Sequence, residues 1–165
     1  MPFNIEWVDN SSGVKQTFSV HTPAGRLALT LQQDVIVDMN WLQAGASYNG
    51  AEEIDLFELS QYWQNPDAPI TVKLLKQGTP YRRQVWSALC QIPLGEVRSY
   101  SDIAKSISSA ARPVGNACRD NPYPLFIPCH RVVSTKNMGG YCGKTNGEFM
   151  LIKFKLLDFE AHFIK

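Results

Sequence analysis

Residues 124–133, PLFIPCHRVV, decide how the second half of this chain is interpreted. An apolar run ends at Pro128, and a thiol, an imidazole and a guanidinium follow at Cys129, His130 and Arg131. A free cysteine most often packs as a small apolar residue, so a short core strand is the simplest interpretation. Against it, proline cannot donate to a sheet ladder, neighbouring cations favour a thiolate, and a buried His–Arg pair needs partners. The stretch therefore favours a reactive centre.

The overall composition is that of an ordinary globular chain. Its 165 residues, 44% hydrophobic and 19% charged, fit one large domain or two small ones. There is no apolar run of about 18 residues, and no basic segment followed by an apolar one at the start. We therefore expect no membrane partner and a reducing compartment, the cytoplasm, or the nucleus in a eukaryote.

Cysteine and histidine residues are few and scattered. They are Cys90, Cys118, Cys129, Cys142, His21, His130 and His162. No C-x-x-C pair occurs, and the paired spacing of zinc ligands is absent. We predict no metal, no structural zinc and no disulfide framework, which leaves free thiols.

The net charge of +1 is unevenly distributed. Residues 1–78 carry four Lys or Arg and nine Asp or Glu, giving −5, whereas residues 79–165 carry twelve and six, giving +6. Such asymmetry suggests two parts, with the basic one facing a polyanion. A solvated face without a partner explains the charge equally well.

Residues 1–77 are predicted to form a small mixed β/α domain. Predicted strands lie at 26–31, 35–41 and 70–75, and a turn lies at 22–25. Apolar residues at helical spacing predict a helix over 52–64.

Residues 78–165 are predicted to form a mostly helical domain. Thr79 and Pro80 indicate a helix start, and Pro93-Leu94-Gly95 ends that helix after Ile92, the last residue of its apolar face. Two short helices over 101–107 and 112–120, the first capped by Ser99, are similar to a helix-turn-helix. Small side chains in the second helix allow close approach, either to a DNA groove or to another helix. The last predicted helix covers 149–163.

Several motifs then occur in a fixed order. They are G-T-P-Y-x-x-x-V-W from Gly78, I-P-x-G-E from Ile92, S-Y from Ser99, A-R-P-V-G from Ala111, N-P-x-P from Asn121, I-P-C-H-R-V-V from Ile127 and K-x-x-L-L-x-x-E from Lys153. With them, the chain resembles the O(6)-alkylguanine-DNA alkyltransferases, also called methylated-DNA–protein-cysteine methyltransferases. The resemblance is specific over 78–160, whereas the amino-terminal part matches only in layout.

The resemblance implies an α+β fold, in which a small mixed β/α domain precedes a mostly helical domain with a winged helix-turn-helix-like DNA-binding motif. It also implies a monomeric repair protein that moves an alkyl group from O(6)-alkylguanine, or more weakly O(4)-alkylthymine, in double-stranded DNA to its own cysteine. Because the thioether is permanent, each molecule acts once. No cofactor is implied for the transfer.

The same resemblance assigns catalytic roles. Cys129 is the nucleophile, because displacement at an alkyl carbon suits a soft thiolate. His130 is the base, acting through a bridging water, and Glu160 orients it. Asn121 supports the turn around the site, and Tyr100 binds a guanine ring nitrogen and donates a proton.

Further residues are assigned to DNA and to the pocket. Arg112 is expected to fill the space left by the extruded base. Other DNA-facing residues are Tyr100, Ala111, Gly115, Ala117 and Arg119. Tyr141 is expected to wall the pocket, and backbone groups near Val132 and Cys142 to bind the guanine edge. The segment after Tyr141 is longer than the family pattern, which affects the pocket lid.

Two other functions remain open from the sequence. One is an alkyl-lesion sensor of the same fold, although such proteins lack the acceptor cysteine. The other is a cysteine hydrolase using Cys129 and His130. Adjacent residues on an extended chain point to opposite faces, so a direct dyad of these two is unfavourable.

Overall fold

The computed structural model describes residues 3–43, 52–53 and 59–163. The chain divides into two compact units, Met1–Lys76 and Gln77–Lys165, and each is described by itself. Within the described residues, no helix is both long enough and apolar enough to cross a membrane. The domain roles predicted for 1–77 and 78–165 stay predictions.

The first unit is built on one mixed sheet. Its described elements are β1 (Phe3–Val8), β2 (Lys15–His21), β3 (Arg26–Gln32), β4 (Val35–Leu42), β5 (Glu52–Glu53), α1 (Ser60–Gln64) and β6 (Ile70–Leu75). The described strands lie in the order β1-β6-β4-β3-β2-β5. The β2–β3 and β3–β4 pairs are antiparallel, and the other neighbours are parallel.

The predicted strands at 26–31, 35–41 and 70–75 are confirmed as β3, β4 and β6. The predicted turn at 22–25 is confirmed too, because Thr22 exchanges backbone hydrogen bonds of 2.8 and 3.2 Å with Gly25. β1 and β2 were not predicted as separate elements. Their backbones pair with β6 and β3, a tertiary contact that local sequence does not contain.

The helix predicted over 52–64 is wrong at its start. Glu52–Glu53 form a strand that pairs in parallel with β2, and the helix covers only Ser60–Gln64. Residues 54–58 lie outside the described part of the chain. The edge of β2 offers unpaired backbone groups, and pairing with them outweighs a weak helical preference.

The second unit is mostly helical. Its described elements are α2 (Pro80–Leu89), β7 (Arg98–Ser99), α3 (Tyr100–Ser106), α4 (Ala111–Arg119), a 3-10 turn (Cys129–Arg131), β8 (Val132–Val133) and α5 (Glu148–His162). The predicted helices are confirmed, and three of them have ends shifted by about one residue, as is usual for such boundaries. The first, α2, ends at Leu89, three residues before the predicted end at Ile92. β7 and β8 form a short parallel pair.

The start of α2 follows from its sequence. The Thr79 side chain accepts a 3.1 Å hydrogen bond from the Arg82 backbone, and Pro80 occupies the first turn. Such a cap stabilises a helix by about 1 kcal/mol. On the inner face, Trp86 donates a 2.8 Å hydrogen bond to the Ala117 carbonyl and so fixes α2 against α4.

α3 and α4 lie close together in space. Ser99 and Asp102 form a reciprocal capping box at the start of α3, with bonds of 3.0 and 3.1 Å. Ile103 and Ala104 are buried, as predicted, whereas Ile107 is only half-buried. Residues 107–110 connect the two helices. One helix therefore supports the other and leaves part of α4 exposed.

Candidate active site

A tight turn presents Cys129, and the side chain of Asn121 holds this turn together. Asn121 accepts a 2.9 Å hydrogen bond from the Tyr123 backbone and donates one of 2.9 Å to the Ile127 carbonyl. Its amide also donates to the Cys129 sulphur at 3.2 Å. One side chain thus sets both the backbone path and the position of the thiol.

The expectation that Cys129 and His130 lie on extended chain is wrong. Cys129–Arg131 form one turn of 3-10 helix, because Pro128 ends the preceding segment and its carbonyl accepts the Arg131 amide at 3.0 Å. With about three residues per turn, successive side chains diverge by about 120°. Cys129 and His130 therefore still point apart, and no direct dyad forms.

The Cys129 thiol is almost fully enclosed, with 5% of the residue exposed. Burial raises its pKa, while the Asn121 hydrogen bond and the nearby charge of Lys153 act in the opposite direction. At neutral pH the resting site therefore holds a thiol and not a thiolate. A base must remove its proton when the thiol reacts.

The two residues that follow Cys129 in the 3-10 turn, His130 and Arg131, are joined by Glu160 in a buried network. Its carboxylate contacts His130 Nε2 at 2.7 Å and Arg131 Nη2 at 2.7 Å. Arg131 also donates through Nε and binds the Ile92 carbonyl at 2.8 Å. Glu160 is thus the acidic partner of Arg131, and His130, Arg131 and Glu160 are each at most 2% exposed as whole residues.

The charges of this network fix the tautomer of His130. Burial acts to raise the pKa of Glu160, but His130 and Arg131 lower it to about 2, so the carboxylate is ionised. Burial lowers the pKa of His130, which favours neutral imidazole. An ionised carboxylate only accepts, so Nε2 carries the hydrogen and Nδ1 keeps its lone pair. Nδ1 is buried and has no hydrogen-bond partner among the described residues.

Lys153 is a site residue to which the sequence interpretation gave no role. It is fully buried, and its ammonium group donates to the carbonyls of Val132, Met138 and Gly140 at 2.7, 2.6 and 2.9 Å. Burial lowers its pKa to about 8, while Cys129 and Cys118 act to raise it. The sequence does contain an indication that Lys153 is buried, because Lys153 lies on the apolar face of α5, three residues after Met150.

Tyr100 begins α3 and lines the cavity beside Cys129. Burial raises the pKa of its phenol, so the hydroxyl keeps its proton at neutral pH. Gly139, also without a predicted role, has φ +70°, and a Cβ there would lie 2.9 Å from the Tyr100 oxygen. Only glycine leaves room for the phenol at this position.

A cavity of about 220 Å³ opens in front of the thiol. Its lining residues are Tyr100, Gly115, Asn116, Cys118, Arg119, Cys129, Gly140, Tyr141, Cys142, Gly143, Lys144 and Thr145. The structure thus brings together Tyr100, Cys129, Tyr141 and Cys142 from the predicted site. Val132 is absent from this described lining, and its carbonyl already accepts from Lys153.

α4 presents part of its surface to solvent. Ala111, Arg112 and Arg119 are exposed, and Gly115 is half-buried beside Tyr100. Ala117 differs from the expectation, because it is only 1% exposed and its side chain faces the interior. Spacing explains the difference, since 117 lies on the same helix face as buried Val114.

No group of three or more His, Cys, Asp or Glu side chains suited to a metal occurs within the described residues. The four cysteines are free thiols. The absence of zinc stays a prediction, which elemental analysis would test.

An enclosed thiol that lines a cavity and is followed by an imidazole–carboxylate pair defines a protein with a cysteine nucleophile. Residues 80–162 match the family described as 6-O-methylguanine DNA methyltransferase, DNA binding domain. The chain belongs to the methylated-DNA–protein-cysteine methyltransferase family of enzymes. The predicted family is therefore confirmed.

Two relatives illustrate the sequence similarity. The chain is 32% identical over 158 residues to the constitutive methylated-DNA–protein-cysteine methyltransferase of Bacillus subtilis, covering 86% of this chain and 96% of that protein. It is 34% identical over 120 residues to the methylated-DNA–protein-cysteine methyltransferase of Archaeoglobus fulgidus, covering 71% of this chain and 80% of that protein.

Solved structures show the same α+β fold. The O6-methylguanine methyltransferase of Mycobacterium tuberculosis matches with a TM-score of 0.74 and 28% identity, over 92% of this chain and 96% of that one. A structure of the M. tuberculosis protein in complex with DNA matches with a TM-score of 0.72 and 29% identity, over 89% and 93%.

Proposed function

We propose that this protein transfers a methyl or other alkyl group from O(6)-alkylguanine in duplex DNA to Cys129. O(4)-alkylthymine is a weaker substrate in this proposal, and each molecule reacts once. The observation that carries it is that the Cys129 thiol lines a cavity while the next residue, His130, is paired with Glu160. Family membership supports the same reaction.

The transfer is a displacement at the alkyl carbon. The carbon–oxygen bond of the lesion breaks as the carbon–sulphur bond to Cys129 forms. The thiol proton passes to the free Nδ1 of His130 through a water relay, because the two side chains diverge. Glu160 stabilises the resulting cation, and the positive charge of Lys153 near the sulphur favours the developing thiolate.

The leaving guanine would depart as an anion unless it gained a proton. Tyr100 donates that proton to the ring, and the raised pKa of its phenol supports this role because the donor is protonated beforehand. The proton held by His130 restores the tyrosine afterwards. Overall, an alkylguanine and a thiol become guanine and a thioether, with no cofactor required.

DNA is engaged by α3 and α4 as a winged helix-turn-helix, with β7–β8 as a minimal wing. The exposed face of α4 supports this assignment, because Arg112 and Arg119 bring positive charge to it. Arg112 fills the stack when the damaged nucleotide rotates into the cavity. The protein acts as a monomer in the cytoplasm, or in the nucleus of a eukaryote.

Intact mass measured after mixing with methylated duplex DNA tests this function. One methyl group per chain, mapped to Cys129, is the expected result. A cysteine hydrolase would give more than one equivalent of product, and a lesion sensor would give none. Either outcome contradicts the proposal.

Arg112→Ala is expected to reduce transfer from duplex DNA much more than transfer from the free base benzylguanine. The physical reason is that extrusion needs Arg112, whereas a free base has no stack to leave. Single-turnover rates with both substrates measure the difference. Equal losses would show that Arg112 supports the fold or the pocket instead.

A further inference from the structure

The segment after Tyr141 begins with a tight turn at the edge of the cavity. Tyr141 and Lys144 exchange backbone hydrogen bonds of 2.8 and 3.0 Å. Between them, Cys142 has φ 51° and Gly143 has φ 78°, as in a two-residue type I′ turn. The turn fixes the backbone of Lys144 beside the cavity, which Lys144 lines.

Arg119, at the end of α4, reaches the same edge. A Cβ at Gly143 would lie 3.3 and 3.4 Å from Arg119 Cγ and Cδ, so the turn packs closely on the aliphatic part of this side chain. Arg119 also lines the cavity, and its side chain is 58% exposed. Two cationic residues from separate segments therefore line one opening.

This positive charge is only partly balanced. The carboxylate next to Arg119 is Asp120, at 3.5 Å, but Arg82 binds the other oxygen of Asp120 at 2.7 Å. Among the described cavity-lining residues, none is Asp or Glu. An exposed opening with two cations and no acidic lining residue favours an anion.

We propose that Arg119 and Lys144 form an anion subsite for the phosphodiester that flanks the extruded nucleotide. This inference rests on the proposed function. A base inside the cavity keeps its sugar and phosphates attached, so they must lie at the opening and not beside the sulphur. A phosphate at the opening would bind Lys144 of the turn and Arg119 of α4, and this contact would position the lesion in the cavity.

The variant Lys144→Gln tests the subsite, with Lys155→Gln as the matched control. Lys155 is exposed on α5 and does not line the cavity, so the control loses the same charge elsewhere. For Lys144→Gln, the salt dependence of binding to methylated duplex should be less steep by about one unit of log–log slope. Transfer should fall far more for duplex than for benzylguanine.

A second experiment removes one negative charge from the DNA and leaves the protein unchanged. Replacing the phosphate beside the lesion with a methylphosphonate should weaken wild-type binding as much as Lys144→Gln does, and combining both changes should add little. Additive losses, or equal behaviour of the Lys144 and Lys155 variants, would overturn the subsite. Equal losses on benzylguanine would also overturn it, because the turn would then only shape the cavity.

Two further outcomes have separate meanings. In the first outcome, the methylphosphonate has no effect, and Lys144→Gln instead removes a preference for carboxymethylguanine over ethylguanine as free bases. The bound anion is then a carboxylate on the alkyl group, and the phosphate assignment is wrong. If wild-type protein transfers nothing from duplex or free base, the proposed function fails, and the subsite falls with it.

Discussion

Cys129→Ser is expected to abolish alkyl transfer while DNA binding stays intact. Serine fills nearly the same space and still accepts the Asn121 hydrogen bond, so the turn should keep its structure. A hydroxyl is a far weaker nucleophile than a thiol at neutral pH, even with the same base behind it. Intact mass with methylated duplex, together with a binding titration, measures the two properties separately.

Cys90→Ser provides the control for this experiment. Cys90 is half-buried at the end of α2 and does not line the cavity, so its replacement should leave transfer unchanged. Transfer that persists in the Cys129 variant would contradict the assignment. Cys142 would then be the first alternative acceptor to map, because it lines the cavity.

Glu160→Gln is expected to lower both stability and rate. The change leaves Arg131 buried without its carboxylate, which costs about 3 kcal/mol in the free energy of unfolding. It also removes the group that supports the protonated form of His130, so transfer to benzylguanine should slow by about 10- to 100-fold. Urea denaturation and single-turnover rates measure the two effects.

The pH dependence of stability gives this prediction a further signature. The pKa of Glu160 is about 2 in the folded protein and 4.5 in an ordinary environment. The stabilisation of the folded state by ionised Glu160 is therefore complete above pH 4.5 and is lost as the pH falls toward 2. Glu160→Gln should lack this component of acid unfolding.

Asp158→Asn serves as the control, because Asp158 lies exposed on the same helix and loses the same charge. It should change neither stability nor rate appreciably. If Glu160→Gln transfers at the wild-type rate, Glu160 has no part in the proton relay.

Local chemistry made much of the second unit predictable. Thr79-Pro80 and Ser99 are helix-start residues whose effect does not depend on distant contacts, and α2 and α3 begin at them. The motif around Cys129 indicated a reactive thiol for similar reasons, because proline and two cations stand beside it in sequence. Such signals remain valid whatever the rest of the chain does.

Tertiary contacts limited the prediction elsewhere. Glu52–Glu53 form a strand because the edge of β2 is available to them, which local periodicity does not reveal. The burial of Lys153 depends on three carbonyls that converge only after folding. The inward side chain of Ala117 depends on where α2 packs, and small size alone did not distinguish a DNA-facing position from a core position.

α5 carries two buried polar anchors, Lys153 and Glu160, on a single face. At about 3.6 residues per turn, the spacing between them is close to two turns, so both side chains point inward. Inserting or deleting one residue between them would rotate one anchor by about 100° relative to the other. Asn146 and Gly147, by contrast, are exposed and do not line the cavity. We therefore expect one inserted residue at Asn146–Gly147 to cost less stability than one inserted between Lys153 and Glu160.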